Sequence, residues 1–328
     1  MNKELKDKYG RIYKYLRISV TDRCNFRCKY CIPSHNFKFL EHSKILSYED
    51  ILFALDLFSN IGIKKVRITG GEPLVRKGIT DLIKKIRENQ KIEEITLTTN
   101  GSLLKKYAKE LKIAGLNRIN ISIDSLKPER YESITGGFNL NDVLEGIKAA
   151  QDEGILPLKV NTVLIKGFND DEIIDFCNFA ADNKLTVRFI EFMPIGNSKD
   201  WSKDSIITGK EVLDIVSNHF SLSKIEKNKF DGPSLDYKLS NGGKIGIITP
   251  ISNHFCGSCD KLRLTAEGKL RSCLLSDKEV DLSQAIRERD YNKLMSLLKL
   301  SLDIKDWMHH IADCDQINFK RTMSKIGG

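Results

Sequence analysis

No stretch of this 328-residue chain approaches the roughly 18 apolar residues that a membrane span needs. The opening segment, MNKELKDKYGRIYK, is polar and charged and has no apolar h-region, so no secretory signal is expected. The sequence also lacks low-complexity tracts and repeats of fixed period. Aromatic residues make up only 8%, and no basic stripe interleaves with them, which counts against a groove for single-stranded nucleic acid. The expected compartment is therefore the cytoplasm. Disulfides are rare there, so the eight cysteines point to metal binding or catalysis.

What is present is an ordinary globular composition, 41% hydrophobic and 30% charged, sized for one large or two ordinary domains. Lys and Arg number 53 against 44 Asp and Glu, a net charge of +9. This fits either a solvated basic surface or an anionic partner such as a nucleotide, a nucleic acid or an acidic protein.

Short apolar strands alternate with amphipathic helices from residue 15 to about residue 220. The strand candidates are YLRISV (15–20), KVRIT (65–69), EITLTT (94–99), RINISID (118–124), LKVNTVLI (158–165) and TVRFIEF (186–192). Helical patterns lie between them, one entered by Ser47 as an N-cap, and KIAGL and DEGIL place glycine where helices end. Six such units predict a parallel sheet, as a partial (βα)6 TIM-type barrel or, second, a doubly wound sheet. After residue 220 the rhythm breaks into turn signals and short β runs, and KLRLTAEGKLRSCLL predicts a hairpin turning at Ala266–Gly268. The expected division is 1–230 for the barrel and 231–328 for a smaller α+β domain.

The unusual residues fall where the strands end, which is the functional face of parallel βα architectures. Cys24, Cys28 and Cys31 follow the first strand, GGEP (70–73) the second, and TTNG (98–101) closes the third. Ser122 and Asp124 end the fourth, Lys159 and Asn161 lie on the fifth, and Arg188, Glu191 and Met193 run along and out of the sixth. CNFRCKYC offers three thiols where a closed tetrahedral site needs four ligands. Either one metal position stays open, or His35 or His42 completes a zinc site. The later trio, Cys256, Cys259 and Cys273, again lacks a fourth cysteine, and His254 could complete a zinc ribbon.

The C-x3-C-x2-C spacing, with Tyr30 before the last cysteine, resembles the radical S-adenosylmethionine superfamily. The stretch from Arg17 to Cys31, with VRITGGEPLVR, LTTNG, INISIDSL, KVNTVLIKGFND, RFIEFMPIGN, the second trio and the terminal Gly-Gly, resembles the GTP 3′,8-cyclase family of molybdenum cofactor biosynthesis. The resemblance implies a lyase with two 4Fe–4S clusters, one on Cys24, Cys28 and Cys31 and the other on Cys256, Cys259 and Cys273. One iron of the first takes S-adenosylmethionine, and one iron of the second meets the purine of GTP. A 5′-deoxyadenosyl radical then removes the ribose C3′ hydrogen, and C3′ joins purine C8.

By the same resemblance, Tyr30, Gly71, Ser122 and Met193 contact the cosubstrate. Arg17, Lys65, Arg67, Thr98, Lys159, Arg188, Lys261 and Arg263 contact GTP, whose triphosphate suits charge-assisted hydrogen bonds. Arg67, Lys159 and Arg188 lie inside apolar strands, where an unpaired charge is costly. Gly327 and Gly328 are expected to thread back toward Arg17 and to take part in catalysis. One departure is Asp260–Lys261, where the family has Asn-Arg, because lysine lacks the bidentate fork. Implied partners are an electron donor such as flavodoxin or ferredoxin and, downstream, cyclic pyranopterin monophosphate synthase. Neither membrane nor nucleic acid is expected as a partner, and a homodimer is allowed. Two other readings stand beside this one: a peptide-modifying radical enzyme with auxiliary clusters, and a zinc-ribbon nucleic-acid-binding protein. Cys177 reads as core, and Cys314 belongs to no motif.

Overall fold

The structure, a computed structural model, describes residues 4–32, 37–195, 201–227, 231–309, 311 and 319–327. His35, Cys314 and Gly328 lie outside the described residues. Six βα units follow in order: β1 (Tyr15–Ser19), β2 (Lys65–Thr69), β3 (Glu94–Thr99), β4 (Arg118–Ser122), β5 (Leu158–Leu164) and β6 (Thr186–Glu191). All six are parallel and paired in sequence order, as the alternating pattern predicts. Helices α1 (Tyr48–Asn60), α2 (Ile79–Glu88), α3 (Leu104–Ile113), α4 (Pro128–Thr135), α5 (Leu140–Asp152) and α6 (Ile173–Asp182) connect them. Ser47 caps α1 in a reciprocal box with Asp50. The short α4, opened by Pro128, has no counterpart in the apolar pattern read from the sequence.

The chain beyond β6 does not stand apart from this sheet. After α7 (Gly209–Ser217), the strands β7 (Leu222–Lys224), β8 (Leu235–Leu239) and β9 (Lys244–Ile248) form an antiparallel set. Within it, β9 lies parallel to β6. On the opposite edge β10 (Lys261–Leu264) lies parallel to β1. It turns into β11 (Lys269–Arg271) as the expected hairpin, followed by β12 (Val280–Asp281). One sheet of 12 strands results, ordered β12-β11-β10-β1-β2-β3-β4-β5-β6-β9-β8-β7. The helical stretch that follows is two helices, α8 (Ser283–Arg287) and α9 (Tyr291–Asp303), parted at Arg289, whose φ is +57°. A last turn, α10 (Met323–Ile326), carries the tail back to the sheet.

Polarity across the parallel strands decides where the site lies. Successive strand residues face opposite sides. Leu16, Ile18, Val66, Ile68, Ile95, Leu97, Ile119, Ile121, Val160, Val187 and Phe189 form the apolar core with the helices. The alternate residues carry the charges. Cys177 is fully buried in the same core, as its helix pattern predicts. No helix among the described residues is long and apolar enough to cross a membrane.

Candidate active site

The charged faces of the strands enclose an open cavity of about 1260 Å³, counting the solvent in its mouth. Arg17, Lys65, Arg67, Lys159, Arg188, Lys261 and Arg263, all expected at the substrate site, line it, as does Met193. Tyr15, Arg118, Asn120, Asn161 and Asp231 complete much of the wall, together with Cys256, Cys259 and Cys273. Thr98 is absent from the lining but accepts a hydrogen bond from Arg67 Nη1 at 3.0 Å.

Register explains the clustering. On three adjacent parallel strands Arg17 stands between Arg263 and Arg67, and one inward step earlier Tyr15 stands between Lys261 and Lys65. Burial, then the like charge of Arg263, holds the Arg17 guanidinium well below its usual range. Burial likewise lowers Arg263 to about 10 and Lys159 to about 8, with Arg188 adding repulsion at Lys159. Carboxylates offset part of this charge. Lys65 pairs with Glu94 at 2.7 Å, whereas Lys159 stands 3.7 Å from both Asp231 and Asp236 and Arg188 stands 3.8 Å from Asp236. Arg188 Nε and Asp236 Oδ1 are buried without a hydrogen-bond partner among the described residues. Such a group costs free energy until a partner arrives. Gly246 leaves their room: a Cβ there would come 2.5 Å from Asp236 Oδ1.

The second cysteine trio shares this cavity. The side chain of Lys305, only 4% exposed and outside every motif, points Nζ at Cys259 Sγ from 3.8 Å. Burial opposes ionisation of Cys259, but Lys305 and Lys261 outweigh it and lower the thiol. Arg11 donates to the Cys256 carbonyl at 3.0 Å and fastens this loop to the N-terminal segment.

The first trio lies in the loop that leaves β1. Cys24 Sγ accepts hydrogen bonds from the Phe26 amide at 3.3 Å and from Asn100 Nδ2 at 3.8 Å. Burial pushes the Cys24 thiol up to about 11 and Cys31 to about 12. The GGEP segment builds this loop. Gly71 N donates to Thr21 O at 2.7 Å, and a Cβ on Gly71 would fall 2.3 Å from Arg23 O. The close approach these glycines allow is thus to the backbone leading into Cys24, where the sequence alone pointed to a ligand. Glu72, buried, accepts from Leu74 N, Thr99 Oγ1 and Asn100 N, so it ties GGEP to TTNG. Tyr30 Oη donates to Asp124 Oδ2 at 2.7 Å, and Ser122 ends β4 beside Asn161. Tyr30 and Met193 pack against one apolar cluster with Phe192, which joins the two cysteine regions.

Of the terminal pair, Gly327 is among the described residues, and it returns to the sheet beside Arg263 and Ser19. Gly327, at φ +74°, offers its carbonyl to Arg263 Nη1 at 2.8 Å, and a Cβ there would come 2.9 Å from Ser19 Cβ. The Ser324 backbone hydrogen-bonds the Cys31 thiol.

These donors suit iron–sulfur clusters. Both trios are thiols met by N–H donors, the arrangement that tunes such centres. Each thiolate of a 4Fe–4S cluster takes a different iron, so the sulfurs need not converge on one point, and no three donors among the described residues do. Of the histidines read as alternative zinc ligands, His42 Nε2 lies 2.6 Å from Arg23 Nη1, and His254 packs edge-on against His309.

Sequence reasoning missed Tyr15, Arg118, Asp231, Asp236 and Lys305. Tyr15 was within reach, since it precedes Arg17 by two residues on one strand, and Arg118 shares its strand face with Asn120. Lys305 left no signal.

Comparison with known proteins agrees with this geometry. Residues 18–180 match the Radical SAM superfamily model, and residues 185–311 match that of Molybdenum Cofactor Synthesis C. The chain is 47% identical over 326 residues to the GTP 3′,8-cyclase of Peptoclostridium acidaminophilum, covering 99% of this chain and 98% of that one. It is 45% identical to the GTP 3′,8-cyclase of Petrotoga mobilis, covering 98% and 99%. The crystal structure of SuiB from Streptococcus suis superposes with a TM-score of 0.61 at 16% identity, covering 88% of this chain and 67% of that one, which shows a shared fold alone. The chain belongs to the radical SAM superfamily and, within it, to the GTP 3′,8-cyclase family.

Proposed function

We infer that the protein is a radical S-adenosylmethionine lyase that converts GTP to 3′,8-cyclo-7,8-dihydro-GTP, the first step of molybdenum cofactor biosynthesis. The observation that carries this reading is one cavity in which buried arginines and lysines from five strands meet a cysteine trio. Cys24, Cys28 and Cys31 would hold one 4Fe–4S cluster, and Cys256, Cys259 and Cys273 the other. When bound, the first supplies the electron that releases a 5′-deoxyadenosyl radical from S-adenosylmethionine, and the second offers an iron to the purine.

The chain's own groups do the rest. Arg17, Lys65, Arg67, Lys159, Arg188, Lys261 and Arg263 bind and orient a triphosphate of about four negative charges, with Thr98 holding Arg67 in place. Substrate binding exchanges their mutual repulsion for charge-assisted hydrogen bonds. Tyr30, Gly71, Ser122 and Met193 receive the cosubstrate, and the Tyr30–Asp124 bond fixes the ring. Gly327, with Gly328 after it, stands between Ser19 and Arg263, where it confines the ribose and excludes water. Residues 1–230 thus generate the radical, and residues 231–328 bind the purine and close the cavity. Lys261 keeps the charge of the family's arginine, without its fork.

An electron donor such as flavodoxin or ferredoxin would feed the clusters in the cytoplasm. Cyclic pyranopterin monophosphate synthase would take the product onward. SuiB has been crystallised bound to a precursor peptide, but at 16–20% identity its likeness to this chain extends to fold only. The test is anaerobic incubation of reconstituted protein with GTP, S-adenosylmethionine and dithionite. The expected result is 5′-deoxyadenosine in step with a GTP-derived cyclic product, with deuterium passing from C3′ of labelled GTP. Intact clusters without a GTP-dependent product would overturn it.

A further inference from the structure

Tyr15 belongs to no motif, yet it occupies the centre of the cationic wall. It opens β1 with 5% of its surface exposed, on the cavity face. Its neighbours across the sheet are Lys261 on β10 and Lys65 on β2, with Arg17, Arg263 and Arg67 one inward step further along. Lys65 Nζ lies 4.9 Å from the ring centroid, Arg67 Cζ 5.7 Å and Lys261 Nζ 5.9 Å. Three cations thus lie within 6 Å of one ring centroid, an attraction that partly compensates their repulsion. Arg67 Nε donates to the Tyr15 hydroxyl oxygen. That bond uses the oxygen as acceptor and leaves the phenolic proton to be donated. Among the described residues no side chain or carbonyl takes it. Carboxylates stand nearby, but Glu94 is held by Lys65 and Asp260 by Lys261, at 2.7 and 3.1 Å.

We propose that Tyr15 is an additional substrate-contacting residue, which donates its phenolic hydrogen bond to a phosphate oxygen of the nucleotide while its ring spaces the surrounding cations. The inference rests on the reading of this cavity as a nucleoside triphosphate site. A hydroxyl wedged among guanidinium and ammonium groups adds a neutral donor where a further cation would add repulsion. Its bond to Arg67, which also holds Thr98, fixes the direction in which the proton points.

The experiment compares anaerobically reconstituted wild type with Tyr15→Phe, which keeps the ring and removes the hydroxyl. Equilibrium binding is measured for GTP, inorganic tripolyphosphate and guanosine. A hydrogen bond to a charged group is worth enough to predict roughly tenfold weaker binding of GTP and tripolyphosphate to the variant. Guanosine binding should change less than twofold. Equal tripolyphosphate affinity in the two proteins would overturn the proposal, as would an equal loss for guanosine, which marks a general disturbance of the cavity. A second measurement needs no stable variant: in wild type, ultraviolet difference titration should show tripolyphosphate moving one tyrosine ionisation to higher pH, and no displacement counts against the proposal. Wild type that binds neither GTP nor tripolyphosphate would instead bring down the triphosphate reading itself.

Discussion

Arg263 Nη1 donates to the carbonyl of Gly327 at 2.8 Å, so a cation of the substrate wall also grips the end of the chain. Gly327 sits at φ +74°, where a side chain is strained, and its α-carbon faces Ser19 too closely for a Cβ. Gly327→Ala should displace the end of the tail while all six cluster cysteines remain in place to hold iron. The expected outcome is at least a tenfold loss of cyclic product with unchanged iron content, checked by product chromatography beside iron analysis.

Substitution of cysteines separates the two centres. Anaerobically reconstituted wild type should hold about eight irons. Cys24→Ala and Cys256→Ala should each retain about four. The first should lose all 5′-deoxyadenosine formation, and the second should retain some while losing the GTP product. Iron and sulfide analysis with both product assays decides this, and a full iron complement in either variant would contradict the assignment.

Lys305 is expected to tune the second centre. Its buried ammonium lies 3.8 Å from Cys259 Sγ and stacks on the Tyr13 ring. Positive charge and N–H donation beside a thiolate favour the reduced state. Lys305→Met should therefore shift one midpoint potential to a more negative value and leave the other unchanged. Paramagnetic resonance during a redox titration reads both.

Affinity for GTP should fall as pH rises through about 8. Burial lowers Lys159 to about 8, so its ammonium is present below that value and lost above it. Burial raises Tyr15, but Arg67, Arg17, Lys65 and Lys261 together bring it down to about 8, so it gains negative charge over the same window. Both changes weaken the hold on a polyanion. In Lys159→Met the affinity should be lower at pH 7 and less dependent on pH above it, as isothermal titration would show.

Glu72→Gln tests the architecture behind the first trio. Glu72 accepts from two amides and a hydroxyl, and an amide side chain would set one N–H against another. Loss of stability by about 2 kcal/mol is expected, with slower cluster reconstitution, measured by denaturant unfolding.

Much of this was legible in the sequence because period-two strands are short, bounded and consistent. Arg67 between Val66 and Ile68 declares its face unaided, and Ser47 three residues before Asp50 declares a helix start. The partners were less legible. Nothing local shows that Glu72 reaches Asn100, or that Gly71 packs on Arg23, because these contacts depend on how loops from separate units converge. Asp236 and Lys305 lie in segments whose place follows from pairing at the sheet edges. An isolated carboxylate or lysine in a polar stretch reads as solvated until that pairing is known.

The pairing of β10 with β1 has a consequence for biosynthesis. The outer edge of β1 waits for a strand synthesised much later, and Arg11 finds the Cys256 carbonyl 245 residues onward. Such distant closure is slow, because a long loop must be ordered before the contact rewards it. A nascent chain halted before β10 would own one complete cysteine motif and five of the seven cations of the phosphate wall. The second centre, whose last cysteine follows β10 and β11, therefore assembles only after that edge has closed.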